Sequence, residues 1–174
     1  MKALVALAAM LAAPAGAADH CVSLTRLTAP ASFARFTSRP PRAPHWRGAD
    51  TRRGEAHLFR TALAQASRVT PNFAGRVSVV EIGCGMGAVC PAFVDRVSGR
   101  VRFDPALRVL VEPLTPTVSG ELLTYRRNSR LLVALGLPNE VEAQAGAHLF
   151  EWRDGRLHRL RFVAMRQLCG GQTR

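Results

Sequence analysis

RVSVVEIGCGMGAVCPAFVDRVSGR, residues 76–100, is where the chain's architecture is most legible. Val and Ile dominate Arg76 to Ile82, and Ala92 to Val97 is similar, a β-branched density that reads as two strands. Between them lies a glycine-rich loop flanked by Cys84 and Cys90. Ser98-Gly99 then reads as a tight turn into a further strand, Arg100 to Phe103. Nothing between these strands is a crossover helix, and parallel neighbours need one. The sheet is therefore expected to be antiparallel here.

On the N-terminal side of this stretch one helix is expected. Asp50 or Thr51 can cap its start, Ala56, Phe59, Ala62, Leu63 and Ala66 recur at helical spacing, and Thr70-Pro71-Asn72 ends it. On the C-terminal side Leu107 to Val111, Leu122 to Arg126 and Arg130 to Leu135 read as strands, with Asn128-Ser129 between the last two and a loop around Pro113 and Pro116. Ala147 to Arg153 and Arg156 to Met165 flank Asp154-Gly155, the strongest short hairpin signal in the chain. The expected fold class is α+β: one N-terminal amphipathic helix packed on a mostly antiparallel sheet of about six or seven strands, forming a single domain over residues 51–174.

Residues 18–50 precede that domain as an arm rich in Pro, Arg, Ser and Thr, including Arg39-Pro40-Pro41-Arg42-Ala43-Pro44. Prolines at this density keep out of helix interiors and central strands, so an extended arm over the domain is expected, with Phe33, Phe36 and Trp46 available to pin it. Residues 1–17 read as a secretory signal peptide: Met1-Lys2, an apolar run from Ala3 to Ala13, then Pro14 and the small-x-small triplet Ala15-Gly16-Ala17. Cys21 follows Ala18-Asp19-His20 rather than a lipobox, which argues against a lipid anchor. Cleavage after Ala17 leaves 157 residues with no later span apolar enough for a bilayer, expected to be soluble in the periplasm or the medium.

The chain carries a formal net charge of +12, and Lys2 is its one lysine. Arg35, Arg39, Arg42, Arg47, Arg52, Arg53 and Arg60 meet only Asp50 and Glu55 nearby, and Arg153, Arg156, Arg159, Arg161 and Arg166 form a second cluster. Such a surface attracts polyanions, or simply keeps the protein in solution. Aromatic residues are few and no helix-turn-helix, zinc finger or stacking strand is present, which disfavours nucleic acid.

Four cysteines, Cys21, Cys84, Cys90 and Cys169, read in an oxidising compartment as two disulfides, with three pairings open. Cys84 and Cys90 are the natural local pair. That leaves Cys21 with Cys169, a staple closing a long loop and contributing about 4 to 5 kcal/mol in the chain-entropy model. A metal site is the alternative, but neither Cys-x-x-Cys nor clustered Cys/His spacing supports it.

Val79 to Gly87 resembles the first motif of class I S-adenosylmethionine-dependent methyltransferases. The resemblance covers nine residues and implies that Gly83, Gly85 and Gly87 line the cofactor, with Glu81 near the acidic position. The surroundings oppose it: Pro91 comes early, no strand–helix alternation follows, and export removes the chain from that cofactor. A second resemblance spans about half of the exported chain: Phe59-Arg60-Thr61, Asn72-Phe73-Ala74-Gly75, Gly83-Cys84-Gly85, Cys90, Asp95, Ser98-Gly99-Arg100-Val101 and Asn128-Ser129-Arg130-Leu131-Leu132. In this order they are similar to a family of small exported bacterial proteins of uncharacterised function. The family has an aromatic residue where this chain has Ile82, and an earlier second cysteine. The resemblance implies a shared fold and export, and no activity.

Individual side chains each carry a functional and a structural reading. Cys84 is a candidate nucleophile with His57 or His45 as base and Asp95 as orienter, yet Cys90 six residues away favours a disulfide. Asp95 is a general acid or base, or fixes the Ser98-Gly99 turn through backbone amides. Arg130 binds an anionic ligand, or pairs with Asp95 or Glu121. His148 and His158 face one another across the last hairpin as a pH-sensitive pair, or are incidental. The loop Gly85-Met86-Gly87, closed by a disulfide, is pre-organised for a partner, by class-level analogy with exported lysozyme inhibitors. The sequence thus favours a non-enzymatic binding or accessory protein of the cell envelope without a cofactor. Its partner is an anionic glycan or lipid, or a protein, contacted through Gly85, Met86, Gly87 and Arg130. The enzymatic alternative is the methyltransferase using Gly83 to Gly87.

Overall fold

The computed structural model describes residues 21–42, 45–85, 87–112 and 120–169; the stretch read as a signal peptide, Ala43-Pro44, Met86 and the loop with Pro113 and Pro116 lie outside them. Strand β1 (Val22–Ser23) leads into two short helices, α1 (Leu24–Leu27) and α2 (Pro30–Ala34). The arm is thus partly helical where an extended chain was expected. Pro30 is tolerated because it opens α2, where its missing N–H has no helical partner to lose. Phe33 is buried beneath Leu131 and Val133, and Phe36 packs beside it.

The single helix expected over Ala56 to Ala66 is two, α3 (Gly54–Leu58) and α4 (Arg60–Ala66), broken at Phe59. Neither Asp50 nor Thr51 caps them: α3 begins after Arg53, and the Asp50 carboxylate accepts from the Arg52 guanidinium at 2.7 and 2.8 Å. Both helices still present one apolar stripe. Ala56 and Leu63, with Phe59, Ala62 and Ala66, pack against Val80, Ile82, Ala92 and Val94.

Those four residues lie on β2 (Val77–Gly85) and β3 (Ala88–Asp95), followed by β4 (Val101–Arg102), β5 (Leu110–Val111), β6 (Leu123–Tyr125), β7 (Leu131–Pro138), β8 (Gly146–Arg153), β9 (Arg156–Ala164) and β10 (Leu168–Cys169). Among the described residues, eight strands form one sheet in the order β2-β3-β5-β7-β8-β9, with β4 on β3 and β6 on β7. Every pairing in it is antiparallel. Asp154 (φ 53°) and Gly155 (φ 75°) turn the last hairpin, the left-handed pair that a two-residue connection of this hand requires. β1 and β10 form a separate parallel pair at the chain's two ends. The second face of the sheet buries Phe73, Phe93, Leu110, Leu132, Phe150 and Trp152.

Pro91 sits inside β3 without breaking it. The Val79 amide turns away from β3 to the Asn72 side-chain oxygen at 2.8 Å. By the alternation of antiparallel ladders, the Glu81–Pro91 pair is then of the type that exchanges no hydrogen bonds. The proline nitrogen faces the gap between the β5 pairing at Val89 and the β4 pairing at Phe93. Among the described residues no helix is long and apolar enough to cross a membrane.

Candidate functional site

All four cysteines are bonded, Cys84 to Cys90 and Cys21 to Cys169, with Cα separations of 5.8 and 5.2 Å. Cys84 therefore offers no thiol for the nucleophile reading. The glycines beside it turn a hairpin: Gly83 pairs with Val89 and Gly85 with Ala88. A cofactor motif of the methyltransferase kind must open into a helix, and here β3 returns antiparallel instead. That reading is set aside.

The Asp95 carboxylate accepts from the Val97 and Ser98 amides, both at 3.0 Å, and from the Arg76 guanidinium at 3.1 Å. It holds the turn into β4, as its structural reading required. Arg130 pairs neither with Asp95 nor with Glu121. Its guanidinium meets Glu151 at 3.1 Å and donates to the Thr37 carbonyl at 3.0 Å. His148 and His158 do not face each other: the two-residue turn at Asp154-Gly155 sets Glu151 opposite His158, and a bulge between Leu149 and Phe150 moves His148 one place further, opposite Phe162.

Around Asp95 and Glu151 the fold assembles an open groove of about 830 Å³. Six arginines line it, Arg39, Arg76, Arg100, Arg102, Arg130 and Arg153, against three carboxylates, Asp95, Glu151 and Asp154, a surplus of three positive charges. The carboxylates are each engaged by one arginine, Arg76, Arg130 and Arg153 respectively. Arg39, Arg100 and Arg102 are exposed and, among the described residues, meet no carboxylate.

Local structure places each of them. Arg100 and Arg102 stand two apart in an extended segment, so both side chains leave on one side. Arg102 lies against the Asp154-Gly155 turn, where a Cβ on Gly155 would come 3.3 Å from its Nε. Arg39 is held because Gly75, at φ +73°, lets the arm cross directly over it; a Cβ there would lie 2.6 Å from the Arg39 carbonyl oxygen. Ser38 ties the same stretch down, its amide donating to the Asn128 carbonyl at 2.8 Å and its hydroxyl to the Ala74 carbonyl at 3.0 Å. The groove floor is apolar, with Phe93 and Trp152 buried and stacked at 4.8 Å between ring centroids.

Gly85 and Gly87 are exposed at the opposite end of the β2–β3 hairpin from this groove, eight residues along β2 and roughly 26 Å away at strand rise. Arg130 lies at the groove, so the structure separates it from the glycine loop. Carboxylates stand along the middle of this hairpin and beside its loop. The Tyr125 hydroxyl donates to Glu81 at 3.0 Å, Glu121 lines the same small cleft, and the Glu112 amide donates to the Gly87 carbonyl. Desolvation raises the Glu81 carboxyl above its usual range, partly offset by the Tyr125 bond, and Glu121 adds like-charge repulsion. Among the described residues no three His, Cys, Asp or Glu side chains come together to hold a metal ion.

Arg39 belongs to a basic cluster of the sequence and Arg100 to the family resemblance, but that they meet with Arg102 in one groove is not legible in the sequence, because they come from segments far apart in the chain. The available signal was the alternation Arg100-Val101-Arg102 directly after a turn. No family model, curated protein or solved structure matches the chain.

Proposed function

We propose that this chain is an exported, disulfide-stabilised, non-enzymatic binding protein of the bacterial envelope, and that the arginine groove takes an anionic partner. The observation that carries the reading is the surplus of three arginines without carboxylates in one concave site. Guanidinium groups bind carboxylate, sulfate and phosphate through paired, charge-assisted hydrogen bonds, and a concave wall concentrates their field. Two disulfides fit an oxidising compartment, as do the leader-like N-terminus and the resemblance to small exported proteins.

The test separates the groove from bulk charge. Arg39→Ser/Arg100→Ser/Arg102→Ser is compared with Arg26→Ser/Arg35→Ser/Arg68→Ser, which removes the same charge from exposed positions outside the groove. On a heparin column the groove variant is expected to elute at clearly lower salt than the control variant. Equal elution of the two would reduce the binding to net charge and refute the proposal.

A further inference from the structure

We infer that the ligand of this groove is a linear acidic glycan, which extends from the groove over the two depressions beside it; the inference rests on the anion-binding reading above. Two further depressions adjoin the groove. One shares Ser98 and Arg100 with it and adds Arg52 and Arg53; the other shares Arg102 and Gly155 and adds Arg156. These two also share Val101 and Phe103 with each other, so the three meet around β4 and together make a path from the start of α3 to the last hairpin. Arg52 is taken up by Asp50. Arg53, Arg39, Arg100, Arg102 and Arg156 meet no carboxylate among the described residues, which distributes free cations along the whole path.

An open path with cations at intervals suits a polymer carrying a charge on each repeat. A single small anion would be better served by an enclosed pocket. Two features favour a sugar chain over a nucleic acid. Asp95, Glu151 and Asp154 stand among the arginines as acceptors for hydroxyl donors, which a glycan supplies at every ring and a DNA backbone does not. Single-stranded nucleic acid needs exposed aromatic faces for its bases. Here Phe93 and Trp152 face each other in the buried floor, and Phe103 packs on Phe59 at 5.7 Å.

The oxidised full chain is titrated calorimetrically with inorganic sulfate and with heparin oligosaccharides of increasing length, from disaccharide to octasaccharide, at several salt concentrations. Affinity is expected to rise roughly tenfold or more across the series, beyond the gain from counting binding registers, because linked charges bind as one multivalent ligand. The salt slope should steepen with length and fall by about one for each arginine of the path removed. Arg53→Ser/Arg156→Ser, in the two depressions outside the groove, should weaken the octasaccharide and leave the disaccharide unchanged. Binding of equal strength for disaccharide and octasaccharide would overturn the polymer inference while leaving the anion-binding groove intact. Absence of binding to every probe would remove both. Tighter binding to oligothymidylate of equal charge, or to phosphatidylglycerol vesicles, would replace the glycan with that ligand.

Discussion

Arg96 takes a positive charge into the protein interior, 3% exposed, and the acceptors within its reach are carbonyl and hydroxyl oxygens. Its guanidinium donates to the carbonyls of Arg47 and Ser67 at 2.6 Å and of Val69 at 2.8 Å, with Ser78 Oγ at 3.3 Å. Burial lowers its pKa, but an arginine keeps its proton regardless. Ser67 and Val69 lie at the end of α4, whose last carbonyls lack helical partners and favour a cation. One side chain thus joins arm, helix and sheet. His148 is the opposite case, completely buried and neutral, stacked on Phe162 at 4.7 Å. Its Nε2 lies 2.7 Å from the Gln144 carbonyl and so carries the proton, while Nδ1 has no partner. Desolvation lowers its pKa below 6.5, partly offset by the hydrogen bond to the Gln144 carbonyl, with the nearby Arg159 charge adding to the lowering. The folded state therefore binds fewer protons than the unfolded one. The stabilisation is fully present above the unfolded value of about 6.5 and declines as pH falls toward the folded pKa, at up to about 1.4 kcal/mol per pH unit. Urea unfolding at pH 7.5, 6 and 5 should show this loss, and His148→Leu should flatten it. An unchanged pH profile in the variant would rule out His148 as its source.

Among the elements, the β2–β3 hairpin and the β8–β9 hairpin were legible because each is encoded locally. Val-rich runs are interrupted by glycines in the first, Asp154-Gly155 separates two runs in the second, and the observed strands match those runs within a few residues. What the sequence could not convey was non-local. β5, two residues long, joins β3 to β7 through pairings at Leu110 and Val111 that no periodicity announces. The arm's helices and the break at Phe59 are set by Phe33 and Phe59 finding tertiary contacts, which override local propensity. The groove was illegible for the same reason, since its arginines arrive from the arm, β4 and three separate strand ends. The Cys84–Cys90 bond belongs to the hairpin alone. It closes a loop of sequence separation 6, for which chain entropy gives about 2 kcal/mol. Cys84→Ser/Cys90→Ser should lose about that much in denaturant unfolding and leave heparin elution unchanged, because the groove is at the other end of the hairpin. A loss of heparin retention in the folded variant would move the binding site to the glycine loop.

At the scale of the whole molecule, charges of the two signs gather in different places. Arginines without carboxylates line the depressions around β4, while Glu112 stands at the closed end of the β2–β3 hairpin and Glu81 shares a cleft with Glu121 at the middle of β2. A concave wall concentrates the field of those arginines and steers an anionic chain toward the groove. The ends of the chain are joined at a third place. Cys21–Cys169 spans a sequence separation of 148, beside the parallel β1–β10 pair and the cluster of Leu27, Leu135, Ala147, Val163 and Leu168. Closing so long a loop restricts the unfolded chain most, by about 5 kcal/mol in the chain-entropy model. Cys21→Ser/Cys169→Ser should therefore be destabilised more than twice as much as the hairpin variant, read as the shift in urea midpoint at unchanged slope. The arm should nonetheless keep Arg39 in place below the transition. Ser38, Arg47 and Asp50 anchor it independently, through the Asn128, Arg96 and Gly99 carbonyls at 2.7 to 2.8 Å. Heparin retention equal to that of the parent protein, together with the larger loss of stability, is the expected pair of results. A staple variant no less stable than the hairpin variant would mean that the ends are already held together in the unfolded chain, and that the loop-closure account of this fold is wrong.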